Sequence, residues 1–293
     1  PWSGLTIDEV KAKFPDSYLT WKKSPNELKI KRKDGTEYNP IKELMDQAEQ
    51  FLKKVLSTHG SQNKANIVVV AHNAILRCLI MKLLGNPPAG LRRIKLDNAS
   101  ISIFNLKIDP GTQVNLQIES LNSTAHLTPK LPSKGKHGRM VLVRHGETNW
   151  NKEGRFQGQI DIPLNSNGKE QAIAAGQFLY GVNFNRAFSS CMSRPTETAK
   201  IILGAQTSIG IEPKEDLKEI SHGLWEGKLE SEIKSTWGEL LLAWQTSPET
   251  VQMPKGESIE DVSIRAIKCW EDIRNSLLPH ETVLIVAHDA VNK

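Results

Sequence analysis

Cysteine is scarce: Cys78, Cys191 and Cys269 are the only three in 293 residues, widely spaced and odd in number. That excludes a disulfide framework and a cysteine zinc site, and it suits a reducing compartment; a cytoplasmic protein is expected. No apolar run approaches the roughly 20 residues that cross a bilayer, so no membrane span is expected. The chain opens on Pro-Trp-Ser-Gly, with neither an initiator methionine nor a signal-peptide pattern, and reads as cut from something longer. There is no Gly-x-x-x-x-Gly-Lys-Ser/Thr loop to cradle nucleotide phosphates. Cys191 has Arg194 only three residues on, too near for a cysteine loop that must wrap a phosphate. His145-Gly-Glu147 mimics the His-x-Glu of zinc deaminases, but no Pro-Cys-x-x-Cys follows. Neither a metal nor any other cofactor is expected.

What is present is ordinary for a globular protein: 38% hydrophobic and 24% charged residues, in a chain long enough for two domains. The net charge of +5 suits an anionic partner, either a phosphorylated small molecule or nucleic acid. A basic run, Lys22, Lys23, Lys29, Lys31, Arg32 and Lys33, raises polyanion binding as a reading from another class. A solvated loop weighs more, and steering of anionic substrate is a third reading. Nucleic acid is therefore not the favoured partner.

The chain repeats itself. Trp2-Ser3-Gly4 recurs as Trp225-Glu226-Gly227, Trp21 as Trp244, and Ser24-Pro25 as Ser247-Pro248. Ile67-Val-Val-Val-Ala-His72 recurs as Val283-Leu-Ile-Val-Ala-His288. The early anchors stand 223 positions apart and the two histidines 216, so the first copy is longer by seven residues between them. Residues 1–72 and 224–288 therefore read as copies of one unit, cut differently. Between them, 122–138 reads as a linker of Pro, Ser, Lys and Gly, with His126 and His137 solvated.

Met140–Val143 reads as a short buried strand ending in Arg144, His145 and Gly146, where open α/β sheets place their ligands. Gly146 permits a close backbone approach or a positive φ. The pattern predicts a strand over 186–190 and helices over 74–84, 166–180 and from Arg194. A further helix follows Ser258, whose partner Asp261 makes a capping box, with Val262, Ala266, Cys269, Ile273 and Leu277 inward. In the first copy Ile41, Leu44, Met45, Ala48, Phe51, Leu52 and Val55 repeat that stripe. Strands over 100–106 and 113–119 flank a turn at Asp109-Pro-Gly-Thr112. Strands alternating with helices predict an α/β fold with a mostly parallel sheet.

Arg144, His145, Arg194, Glu219 and His288 all stand at element ends or in loops. If they converge, two arginines and one imidazole surround another imidazole, a cage suited to a phosphoryl group. One imidazole could attack phosphorus while the rest stabilise the equatorial oxygens, and a carboxylic acid could protonate the departing alkoxide. Glu215, Asp216 and Glu226 compete with Glu219 for that role. His222 reads as structural or exposed, and Trp225, Trp237 and Trp244 as core or cleft wall.

Arg144-His145-Gly146, Arg194, Leu217-Lys218-Glu219 and Ala287-His288 together resemble the histidine phosphatase, or phosphoglycerate mutase-like, superfamily. The resemblance covers 139–293 as a second domain ending soon after its second catalytic histidine. It covers 1–121 as the back part of a first domain that lacks the Arg-His-Gly motif and contributes only His72. It implies a three-layer α/β fold in tandem, both copies incomplete, and identifies His145 as nucleophile and Glu219 as proton donor. Arg144, Arg194 and His288 would form the phosphate pocket, with Asn151 and Gln157 as further pocket residues. It implies hydrolysis of small anionic phosphate esters through a phosphohistidine. Mutase-type transfer is the alternative, and a non-catalytic polyanion-binding module a further one. The extended Arg/Tyr-bearing insert of glycolytic mutases is missing, which favours the phosphatase. Homo-oligomerisation, packing of the copies on one another and docking of 73–120 onto the second domain stay open.

Overall fold

The computed structural model describes residues 2–32, 34–59, 65–85, 88–108, 114–131, 134–204, 206 and 208–293. They fall into two compact units, Pro1–Pro132 and Ser133–Lys293. Among the described residues no helix is long and apolar enough to cross a membrane.

The first unit begins with helices α1 (Ile7–Lys13) and α2 (Pro15–Lys23), a short hairpin of β1 (Ile30–Lys31) and β2 (Glu37–Tyr38), then α3 (Pro40–His59) and α4 (Asn73–Leu83). Strands β3 (Ile101–Ile108) and β4 (Val114–Ser123) close it as an antiparallel pair. The expected turn at 109–112 lies outside the described residues. The core joins Ile41, Met45 and Ala48 of α3 to Cys78, Ile80 and Met81 of α4, with Leu91, Ile94 and Leu96 beneath. Phe51, placed inward by the sequence pattern, is exposed, because the stripe is wider than the partner that covers it. Residues 65–72 carry no strand pairing and are exposed throughout. The stretch first read as a linker is partly built into this unit. Asn122 and Ser123 complete β4, the Asn122 amide donates to Asp97 Oδ2 at 2.8 Å, and the His126 ring nitrogen meets the Ala99 carbonyl at 3.0 Å. Within the basic run, Arg32 pairs with Glu43 and stacks on Tyr38, while Lys22 sits over Tyr18; Lys33 lies outside the described residues.

The second unit runs β5 (Arg139–Arg144), α5 (Asn149–Glu153), α6 (Ser166–Phe178), β6 (Arg186–Ser190), α7 (Ser193–Leu203), β7 (Ile211–Lys214), α8 (Glu230–Thr246), α9 (Ile259–Asn275), β8 (Thr282–Ala287) and α10 (Asp289–Asn292). Its sheet has the order β5-β8-β6-β7, all parallel. Both faces of β8 are covered, so its six residues can be a continuous apolar run, and all six are buried. One face packs on Cys269 and Ile273 of α9, and α7 packs on the strand as well, with α6 against α7. The capping box at Ser258 forms, with Asp261 accepting from the Ser258 backbone at 2.9 Å. The three cysteines are free.

The repeat is written in the backbone as well as in the sequence. Phe14, between α1 and α2, has φ −138° and ψ 56°; Trp237, which kinks α8, has φ −132° and ψ 44°. Gly4 and Gly227 share a positive φ of 82° and 79°, a conformation open to glycine without strain. Ser24 and Ser247, at φ −140° and −150°, each lead through a proline into a single 3-10 turn.

Candidate active site

Register brings the two histidines together. In the parallel pair β5–β8, Arg144 lies opposite Ala287, so the next residues, His145 and His288, emerge side by side at the carboxyl ends of adjacent strands. The His145 amide donates to the Ala287 carbonyl at 3.0 Å, and the two rings meet edge-on with centroids 5.0 Å apart. On the other side of β8, Ser189 of β6 lies opposite Val286, which carries Ser190 to His288; its hydroxyl is 3.0 Å from His288 Nε2. Four residues beyond the end of β6, Arg194 in the first turn of α7 points back into the same place.

Gly146 is needed for close approach, not for a positive φ. A Cβ there would sit 2.3 Å from the carbonyl oxygen of Gly168, and one on Gly168 would sit 2.1 Å from that of Glu147. The strand end and the start of α6 thus touch backbone to backbone. Thr198 of α7 accepts from the Gly146 amide at 3.1 Å.

His145 is buried, and its Nδ1 lies 2.7 Å from the Gly146 carbonyl. A carbonyl can only accept, so Nδ1 carries the proton and Nε2 keeps its lone pair. Burial, reinforced by Arg194 and Arg144, pulls its pKa down to about 4, so the ring is neutral at pH 7. Arg194 Nε lies 3.2 Å from that lone pair. Arg194 is wholly buried, and burial lowers its pKa to about 10, which leaves it cationic. The Gly158 and Ile160 carbonyls hold it at 2.8 and 3.3 Å, and the nearest carboxylate, Asp161, is 4.0 Å away. A buried cation matched mainly by neutral dipoles is under-compensated, and an anion would complete it. Arg144 stands at the mouth, half exposed and 3.3 Å from Asp289. His288, buried among Arg194, His145 and Arg144, is held neutral well below the ordinary histidine range; burial is the chief cause. Its Nδ1 has no hydrogen-bond partner among the described residues.

Among the competing acids, only Glu219 is buried against the cavity. Glu215 pairs with Lys218, and Glu226 accepts from the Gln159 and Ile160 amides at 3.0 and 2.9 Å, which fixes the loop that holds Arg194. The Glu219 carboxylate accepts from the amides of Ile220, Asp289 and Ala290 at 3.0, 3.0 and 3.1 Å. Those bonds favour the anion, but burial outweighs them and raises its pKa above the usual range.

Asn151 and Gln157 both line the cavity. Asn151 is also occupied locally: its side chain accepts from the Thr148 amide at 3.1 Å as a capping box for α5. With its amide oxygen turned inward, Gln157 accepts from Arg194 Nε and Nη1 at 3.0 and 3.2 Å and orients the guanidinium. His222 is not exposed. It is buried on the cavity wall beside Phe156 and Trp244, and burial lowers its pKa to about 4. Trp225 is core, and Trp244 is wall. His72, at the start of α4, is exposed and belongs to the first unit. The sequence reading missed Arg155, which lines the cavity, and Gln159, Glu257 and Arg265, which brace it from behind. Arg155 sits in the stretch that supplied Asn151 and Gln157 and could have been found there; nothing in the sequence marks Arg265. Among the described residues no group of three or more His, Cys, Asp or Glu side chains could hold a metal ion.

Arg144, His145 and Glu219 line one cavity at the carboxyl edge of a parallel sheet, with Arg194 and His288 buried against His145 behind it, an α/β arrangement suited to phosphoryl chemistry. The chain belongs to the histidine phosphatase superfamily (branch 1), whose family model matches residues 1–119 and 140–293. It is 37% identical over 168 residues to 2-carboxy-D-arabinitol-1-phosphatase of Triticum aestivum, covering 56% of this chain and 33% of that protein. It is 35% identical over 153 residues to 2,3-bisphosphoglycerate-dependent phosphoglycerate mutase 2 of Gloeobacter violaceus, covering 51% and 69%. The solved structure of Bacillus stearothermophilus YhfR matches with a TM-score of 0.50 at 36% identity, over 53% of this chain and 76% of that one. The chain spans about a third of the length of the two plant relatives it matches.

Proposed function

We propose that this chain hydrolyses small phosphate monoesters through a phosphohistidine on His145. The observation that carries the reading is the state of that ring: neutral, its Nδ1 proton committed to the Gly146 carbonyl, its Nε2 lone pair 3.2 Å from Arg194 Nε. Nε2 attacks phosphorus. As the N–P bond forms, the ester P–O bond breaks and its electrons pass to the leaving oxygen, which takes the proton of Glu219. Arg144, Arg194 and the neutral His288 meet the charge on the equatorial oxygens. A water molecule, deprotonated by Glu219, then attacks phosphorus, breaks the N–P bond and restores His145.

The cavity of about 190 Å³ is below the roughly 300–1,000 Å³ of sites that enclose drug-sized molecules, which favours compact alcohols over nucleosides. The wheat relative and the mutase are both named for phosphate esters whose alcohol bears a carboxylate. Arg155 supplies a cation that such a group could meet. In this reading residues 139–293 carry the chemistry, and 1–121 form the back part of another domain that offers His72 alone.

A screen of sugar phosphates, phosphoglycerates and nucleotides, with His145→Ala in parallel, tests the proposal. Undiminished hydrolysis by His145→Ala would defeat it. The similarity to a phosphoglycerate mutase supports a second reading, transfer of the phosphoryl group to a substrate hydroxyl. Release of inorganic phosphate in step with ester consumption separates hydrolysis from transfer.

A further inference from the structure

Arg265 of α9 does not line the cavity, yet it grips the loop that carries Glu219. All five of its N–H donors are used. Nε and Nη2 bind the two oxygens of Glu257 at 2.8 and 2.9 Å, Nη1 donates to the carbonyls of Asp216 and Lys218 at 2.8 and 2.7 Å, and Nη2 reaches that of Glu219 at 3.1 Å. Glu257 holds the far side of the same loop: its Oε2 accepts from the Ser221 amide at 2.8 Å and from Gln159 Nε2 at 3.3 Å. Gln159 in turn donates to the Glu219 carbonyl at 3.1 Å. The backbone is thus held on both sides of Glu219, and both halves of the Arg265–Glu257 pair are mostly shielded from solvent. Only a planar guanidinium can serve a carboxylate edge and three carbonyls at once; an ammonium has three donors and no fixed fork.

We propose that Arg265, clamped by Glu257, is a positioning residue that fixes where Glu219 delivers its proton. This rests on the assignment of Glu219 as the acid. An ester whose leaving group is a poor one, such as an alkoxide, needs that proton, whereas 4-nitrophenolate departs without it. A displaced Glu219 therefore penalises one and spares the other, which a general loss of structure would not do.

The experiment compares kcat/KM of the 293-residue chain for glycerol 3-phosphate and 4-nitrophenyl phosphate in Arg265→Lys, Glu257→Gln and Glu219→Gln, with thermal melting to verify folding. The expected result is a loss of about 10²-fold for glycerol 3-phosphate in Arg265→Lys, against less than about threefold for 4-nitrophenyl phosphate. Glu219→Gln should discriminate in the same direction. Glu257→Gln, which keeps the side chain's shape and removes its charge, carries the test if Arg265→Lys does not fold. If Glu219→Gln discriminates but the other two variants lower both substrates equally, or neither, the positioning role is wrong while the acid stands. If Glu219→Gln does not discriminate, the acid assignment falls and the positioning role falls with it.

Discussion

Val283–Ala287 and Ile67–Ala71 are close to the same sequence, Val-Leu-Ile-Val-Ala against Ile-Val-Val-Val-Ala, and each leads into a histidine. In the second unit every one of those residues is 0% exposed; in the first, Val68 and Val70 are 87% and 90% exposed. The difference is in their neighbours. Strand β8 lies between β5 and β6, which satisfy its backbone, α9 and α7 pack on its faces, and β5 delivers His145 beside its terminal histidine. Residues 67–72 have no such neighbours among the described residues, so the same β-branched run stays unpaired and exposed. Strand preference is a statement about fitting a covered sheet. An Ala-His at the end of an apolar run becomes chemistry only when register puts an Arg-His-Gly strand next to it.

The comparison can be broken by substitution. His145→Ala should lower turnover by at least about 10³-fold, while His72→Ala should leave it unchanged; steady-state phosphate release measures both. Next in size is stability. Ile285→Ala should cost the second unit about 2–5 kcal/mol, read from urea midpoints, whereas Val69→Ala, already open to solvent, should change the first by less than about 0.5 kcal/mol. Acid should separate the units as well. His145 and His222 have folded pKa values of about 4, and that of His288 lies well below 6.5. Between pH 6.5 and 4 the unfolded state therefore binds more protons at these three sites. Stability present above pH 6.5 is lost as pH falls, by up to about 1.4 kcal/mol per histidine per pH unit. Glu219 acts in the opposite sense above pH 4.5, because its folded pKa is raised, but it is one group against three. The first unit has no buried histidine among its described residues and should hold its melting temperature over that range. The smallest-scale check is amide exchange: 283–287 should exchange only with global opening of the unit, and 67–71 at near-unprotected rates.

Much of the architecture was legible because its determinants are local. Ser258 with Asp261, the apolar faces of α3 and α9, and the strand that stops at Arg144 are each readable within a turn or two of chain. The repeat was legible at Trp2, Trp21 and Ser24-Pro25, but the backbone break shared by Phe14 and Trp237 was not, because neither residue type marks it. The fate of Ile67–Ala71 was not, since it depends on strands elsewhere. His222 was read as structural or exposed because its burial comes from Phe156 and Trp244, distant in sequence. Arg265 was missed for a related reason: it acts through backbone carbonyls, and a carbonyl has no sequence signature. Asn151 shows the opposite limit, where the same side chain serves a helix cap and the cavity wall.

The central claim is that His145 Nε2 takes the phosphoryl group. Acid-free quenching of the chain during turnover, followed by peptide mass spectrometry, tests it directly. The account predicts a phosphoryl adduct on His145, stable to base, labile to acid and absent from His145→Ala. An adduct on His288 or another residue, or hydrolysis that leaves none at any time in the reaction, would contradict it.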